Sequence, residues 1–279
     1  MMKCAIQVTY GEPLWGVGSN LPPRSGSLNG PRPSGRFFVL KVFMTASPRF
    51  RDSGNHLLDL LPDAEFDSIE PMLQPTSLPI RQVVHQFDAE VSHVHFPTSA
   101  IISLLAVLEE DDPVETSTVG RDGFVGLSAA LGVAESPHRA ICQMDGESFR
   151  VPIRPFIAAI ARCPGLNDVM HRYIAFSLRS AARSIACNAV HTVEARASRW
   201  LLLVSDQAGR AAFPMTHEFL AFMLGVRRQT VTVVAGTLQN AGLIAYRRGS
   251  IEIVDRPGLE LAACECYASI RADYHRVMG

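Results

Sequence analysis

The segment from Phe213 to Arg256 constrains this chain more than any other. Thr216 suits a helix N-cap, because its hydroxyl can accept a bond from a backbone N–H in the first turn. Glu218 follows where the helix dipole favours an acid. Phe219, Leu220 and Met223 give that helix an inward face. Gly225 supplies the positive φ of a tight turn between two helices, and Val226 plugs the corner. A second helix buries Val231, Val234, Ala235 and Leu238. It leaves Arg227, Arg228, Gln229, Thr232 and Val233 outside, near its N-terminus, with Thr230 among them. Asn240-Ala241-Gly242 ends the helix, and Leu243–Arg247 and Ile251–Val254 alternate like strands around Gly249-Ser250, read as a two-residue hairpin turn. The segment carries five arginines against three acids. A helix pair alone is common on a solvated surface. Helix, glycine turn, polar-faced helix, glycine and basic hairpin in this order predict a winged helix-turn-helix, with duplex DNA as its partner.

Such a domain offers base edges the N-terminal residues of its second helix. The expected DNA contacts are therefore Thr216, His217, Arg227, Arg228, Gln229, Thr230, Thr232 and Val233, with Arg247 and Arg248 of the hairpin on phosphates. Nothing in the overall charge of −1 suggests a generally basic nucleic-acid binder, so local arginine placement must supply the site.

Upstream, Leu57–Leu61 and a segment opening at Pro62 read as two short helices. Alternating runs then follow at Leu78–Phe87, Val91–Phe96, Ile101–Leu108, Val114–Val119, Ala140–Met144 and Ser148–Ile153, punctuated by turn residues such as Asp111-Asp112-Pro113 and Asp145-Gly146. Short strands at near-regular spacing predict an antiparallel, jelly-roll-like β-roll. From Phe156 to about His191 the period becomes helical, and one long helix is expected. Ile174, Leu178, Ala181 and Ile185 recur on one face, with Val169, Tyr173 and Phe176 on a neighbouring one. One face can cover the roll while the other meets a partner copy. Thr192 is placed to cap a further helix running through Trp200 to about Asp206.

The expected class is α+β: residues 55–160 a β-roll sensor, 161–191 a dimerisation helix and 192–279 a winged helix-turn-helix. Residues 1–50 hold six prolines, six basic residues and one acid, and read as a disordered or non-native extension, with Met44 resembling an ordinary start. Six scattered cysteines fit a reducing cytoplasm better than a disulfide scaffold. No apolar run is long enough to span a bilayer, and no membrane partner is expected.

The residues resemble the Crp/Fnr family of bacterial transcription regulators. The resemblance rests on Val94-His95-Phe96-Pro97-Thr98-Ser99-Ala100-Ile101-Ile102-Ser103, on Val114-Glu115, on Val119-Gly120-Arg121-Asp122-Gly123-Phe124-Val125-Gly126-Leu127, and on Met215 to Ile244. It implies a homodimeric, sequence-specific regulator on a palindromic operator, with a small-molecule effector and RNA polymerase as candidate further partners. Arg228 matches the family's guanine-reading arginine, while Gln229 and Val233 depart from common base-reading residues and imply a different operator. The effector pocket would involve Gly123, Phe124, Gly126, Leu127, His138 and Arg139. Cyclic-nucleotide-binding members carry a Gly-Glu pair where this chain has Gly123-Phe124, and phenylalanine accepts no bond from a ribose hydroxyl. The amino-terminal cysteine cluster of the iron–sulfur members is not seen, since Cys4 stands alone there.

No catalytic set, cofactor or metal site is expected. His93 and His95 would share a strand face and, with His85, suggest a cupin-like metalloenzyme with an accessory DNA-binding or interaction domain. The carboxylate such a site wants is missing from Phe96-Pro97-Thr98-Ser99-Ala100. Cys264-Glu265-Cys266 is too tight for an ordinary zinc knuckle and lacks a second pair. Gly120-Arg121-Asp122-Gly123 lacks the lysine of a P-loop, and Gly126-Leu127-Ser128-Ala129 is not a nucleophile elbow.

Overall fold

A computed structural model describes residues 52–108 and 114–279. The extension expected over residues 1–50 and the turn at Asp111-Asp112-Pro113 lie outside the described residues. Asn55 anchors the start of the roll. Its side-chain oxygen caps α1 (His56–Asp59), accepting from the N–H groups of Leu57 and Leu58, while Nδ2 donates to Pro97 O at 2.8 Å and Gly123 O at 2.9 Å. All four bonds are needed, because the residue is fully buried. Pro62 then starts α2 (Asp63–Ile69), as its neighbours suggested.

The roll is built from β1 (Gln74–Leu78), β2 (Val83–His85), β3 (His93–Pro97), β4 (Ile101–Ala106), β5 (Val114–Val119), the short α3 (Leu127–Ala130), β6 (Arg139–Met144) and β7 (Gly146–Pro152). All pairings are antiparallel, in two sheets ordered β1-β7-β3 and β2-β6-β4-β5. Leu78, Ala100, Ile102, Val119, Val125, Ala140 and Cys142 pack together as one buried cluster of the roll. The strand expected over Leu78–Phe87 holds only the last residue of β1, then a turn, then the short β2. Pro79 cannot donate to a ladder, Gln82 N–H turns back onto Pro79 O at 3.1 Å, and Arg81 takes φ +68°.

The long helix expected from Phe156 is also two: α4 (Ile153–Arg162) and α5 (Pro164–Val190). Pro164 pushes Cys163 into extended backbone and begins a new helix, so the roll-to-helix boundary expected at residue 160 falls inside α4. At 27 residues, α5 is roughly 40 Å long. Its Val169, Tyr173 and Phe176 are buried with Phe96, Phe124 and Phe156 of the roll.

The carboxy-terminal part comprises α6 (Val193–Ala208), β8 (Ala212–Pro214), α7 (His217–Leu224), α8 (Arg228–Asn240), β9 (Ile244–Arg247), β10 (Ser250–Ile253), α9 (Arg256–Ala262) and α10 (Cys266–Met278). Thr192 caps α6 by accepting from Ala195 N–H, and the helix runs two residues past Asp206. The sheet order β8-β10-β9 adds a third strand that sequence reading did not propose. Ser250 pairs with Arg247, so the hairpin turn is Arg248-Gly249, one residue earlier than expected. Its φ values of +50° and +79° are those of a type I′ turn, which matches the twist of the flanking strands. A core of Trp200, Leu201, Leu220, Met223, Val231 and Leu238 extends to Ile101, Leu105 and Met144 of the roll. α10, also unanticipated, packs along α5 through Phe176–Tyr274 ring contact and Arg179–Asp273 at 3.0 Å. No described helix is long and apolar enough to cross a membrane.

Candidate nucleic-acid interface and effector cavity

Helix α7 is fixed at both ends. Thr216 Oγ1 accepts from Phe219 N–H at 3.1 Å, and Gly225 takes φ +62°. On α8, Val231, Val234, Ala235 and Leu238 are buried. Arg227, Arg228, Gln229, Thr232 and Val233 are exposed, Thr230 is half-buried, and Val233 is a large apolar side chain 68% in solvent. Arg227 is the N-cap and supplies no side-chain cap, so the first N–H groups of α8 are left for an anion such as phosphate. Among the described residues, Arg227, Arg228, Arg247 and Arg248 have no acidic partner.

Two of the expected contacts are already engaged. The Thr232 hydroxyl donates to Arg228 O at 3.1 Å and faces His217 Nδ1 at 3.1 Å, which makes the imidazole the donor in that pair. The His217 ring stacks on Tyr246 with centroids 4.3 Å apart, while Tyr246 N–H donates to Gln239 Oε1 at 3.0 Å. Burial, then Arg228, holds the His217 pKa below its usual value, so the ring stays neutral and bridges α7, α8 and the wing. Thr216 serves as the helix cap. His217 and Thr232 thus brace the helix whose Arg228 and Gln229 point outward.

Residues 195–262 match the family model described as the Crp-like helix-turn-helix domain. A CRP/FNR-family transcriptional regulator from Thermus thermophilus superposes with a TM-score of 0.57 at 25% identity, covering 68% of this chain and 98% of that one. The chain is similar to CRP/FNR-family transcriptional regulators, and its carboxy-terminal part carries a Crp-like helix-turn-helix domain. It is a DNA-binding transcriptional regulator. The transcriptional regulator SdrP of Thermus thermophilus is 28% identical over 166 residues, 57% of this chain and 78% of that protein. FixK2 of Bradyrhizobium japonicum shares the fold, with a TM-score of 0.56 at 14% identity, covering 69% of this chain and 98% of that one.

A cavity of about 460 Å³ lies between the roll, α5 and the DNA-binding domain. Of the expected pocket residues, Phe124, Gly126, Leu127 and His138 line it, and Gly123 and Arg139 do not. Gly123 instead backs onto Tyr173, whose Oη stands where a Cβ would be. Arg139 is a β6 residue paired across from Leu105. Phe124 is a core residue, stacked on Phe96 at 5.4 Å and tilted against Tyr173 at 5.2 Å. The polar lining that sequence reading missed comes from elsewhere: Glu115 on β5, Ser177, Ser180 and Ser184 on α5, and Arg199 on α6.

Glu115 is the most unusual of these. Its residue is only half-buried, but the carboxylate itself is enclosed. Trp200 Nε1–H donates to Oε1 at 2.7 Å, while Oε2 is buried without a partner. Burial pushes its pKa up to about 7, against the opposing pull of Trp200, Ser103 and Arg199. A carboxyl whose folded pKa is raised contributes stability that is complete below the unfolded value near 4.5 and is lost as pH rises through about 7. Glu115→Gln keeps the acceptor for Trp200 and removes the titration. Urea denaturation is expected to show the variant more stable than wild type by about 2 kcal/mol at pH 8, with the difference closing below pH 5. Equal stability at pH 8 would show that the carboxylate is solvated.

The cupin-like alternative finds no support. His85 and His95 are buried edge to face at 5.8 Å, and burial pushes the His95 pKa down to about 3. Among the described residues they join no metal-capable group. Among the described residues the one such group lies far away in sequence, at Cys187, His191, Cys264 and Cys266. The second pair that Cys264-Glu265-Cys266 lacked in sequence is Cys187 and His191, at the end of α5.

Proposed function

We propose that this regulator acts as a two-fold homodimer on a palindromic operator, under control of a small molecule that enters the cavity beside α5. The observation that carries the reading is the apolar ridge of α5. Leu178 is 68% exposed and Ile185 72%, with Ile174 half-buried and Ala181 exposed on the same face. The opposite face is buried against the roll and α10. A helix with one covered and one open apolar face fits a symmetric helix pair between copies. The test is light scattering and a promoter-fragment gel shift on the same samples. Dimers that retard DNA agree with the reading, and monomers that bind as well oppose it.

The cavity supports effector control because it touches all three parts at once: β5 and the Phe124–His138 loop, the serines of α5, and Arg199, Trp200 and Met223 of the DNA-binding domain. A ligand there changes the DNA-binding helices only through its differential affinity for two arrangements. Its volume is that of a small organic molecule. Cyclic AMP is expected not to bind in the manner of the nucleotide-responsive members, because Phe124 is a buried aromatic where a ribose-binding acid would stand. Calorimetry with excess cyclic AMP should give no saturable heat. Tight binding abolished by changes in the Gly126–Leu127 loop would contradict this. The same reading makes the protein a cytoplasmic regulator and not an enzyme, with RNA polymerase as a further partner.

A further inference from the structure

We propose that Cys187, His191, Cys264 and Cys266 form a mononuclear zinc site that fastens the α5–α6 hinge to the α9–α10 junction. Cys187 lies in the last turn of α5, and His191, four residues on, is the cap of that helix. Residues at this spacing share one helix face. Cys264 lies in the link after α9, and Cys266 opens α10. The four ligand atoms all lie within 4.8 Å of one another. Cys187 Sγ and Cys264 Sγ are 3.5 Å apart, and Cys266 Sγ is 3.7 Å from His191 Nδ1. A tetrahedral zinc with Zn–S near 2.3 Å and Zn–N near 2.0–2.1 Å has ligand-to-ligand edges of about 3.3–3.8 Å. A cluster of two or more irons divides its ligands between separate metals, and this set is too close-drawn for that.

The surroundings match a metal site beyond the ligand count. His191 Nε2 lies 3.2 Å from Glu265 Oε2, so one ring nitrogen faces the thiols and the other meets a carboxylate, the arrangement that orients metal-binding histidines. Arg199 and Arg196 stand close enough to Cys187 to interact electrostatically, and they offset the negative charge left by three thiolates around a dication. The three sulfurs are buried while His191 keeps partial solvent contact, which gives an ion a way in. Zinc binding would deprotonate the three thiols. The site would close a ring of chain between the dimerisation-helix candidate and the end of the DNA-binding domain, and it depends only on the fold, not on the dimer or effector readings.

The test uses the full-length protein, reduced and stripped of metal. Zinc is titrated against a chromogenic chelator, cobalt(II) is added to a parallel sample, and alkylation of each cysteine is mapped by mass spectrometry with and without zinc. The expected result is stoichiometric zinc, a tetrahedral thiolate-type cobalt spectrum, and protection of Cys187, Cys264 and Cys266 while Cys163 stays unaffected. Glu265→Gln should weaken zinc binding by about 10–100-fold without changing the stoichiometry. The Cys264→Ser/Cys266→Ser double variant should lose the cobalt spectrum. An octahedral cobalt spectrum, alkylation indifferent to zinc, or a Cys187–Cys264 disulfide that forms regardless of zinc would overturn the proposal. The cobalt and alkylation arms need no variant, so a folding defect in the double variant cannot obscure the outcome.

Discussion

Leu178→Asp combined with Ile185→Asp is expected to leave monomers that no longer retard operator DNA at concentrations where the wild type is saturated. Both side chains are more than two-thirds exposed in the protomer, so the fold itself should lose little, within about 0.5 kcal/mol per exposed site. In a paired helix seam the same positions are buried. Losing each large aliphatic contact there costs about 1.5–3 kcal/mol, before the further penalty of an unpaired buried carboxylate. Every 1.4 kcal/mol is about tenfold, so the dimer constant should weaken by about 100-fold at the least. Light scattering reads the dimer, a gel shift reads the DNA complex, and a melting curve checks the protomer. Unchanged dimers would mean that another face of the molecule makes the contact.

The second large effect separates two classes of arginine. Arg228 opens the exposed start of α8, where a bidentate pair with guanine typically gives about 1–3 kcal/mol of discrimination. Arg228→Ala should lose that discrimination, so nonspecific DNA catches up with the operator. Arg247 and Arg248 flank and form the wing turn, where contacts to phosphate position the protein without reading sequence. Neutralising both should weaken all DNA alike and reduce the salt slope by about one to two units. Asparagine is the suitable replacement for Arg248, whose φ of +50° few side chains tolerate, and glutamine suits Arg247. Titration of operator and random duplex at two salt concentrations distinguishes the classes. If the wing variant collapses the specificity ratio and Arg228→Ala preserves it, α8 does not read bases.

The helix-turn-helix was legible in sequence because its determinants are local. Thr216, Gly225, and the Val231–Val234–Leu238 stripe act within one or two helical turns, and the structure keeps all of them in those roles. The breaks were harder. Pro79 and Pro164 each interrupt a run whose apolar pattern continues across them, so periodicity alone carried the end of β1 into β2 and joined α4 to α5. The wing turn slipped by one residue because alternation fits either register, and the positive φ of Arg248 settles it. What sequence could not show are associations between distant segments. Glu115 is enclosed by Trp200, 85 residues on, and Cys187 meets Cys264 across 77 residues. The reverse also held. Gly123 has the right neighbours for a ligand loop, yet it faces the Tyr173 hydroxyl instead.

A DNase footprint of the full-length protein on a promoter fragment that it retards tests the central claim most directly. A two-fold dimer placing one α8 in each of two successive major grooves should protect paired half-sites about 34 Å apart, with inverted sequence, and Arg228→Ala should erase the pattern. A single unpaired half-site at every protein concentration, or uniform protection that Arg228→Ala leaves unchanged, would contradict it.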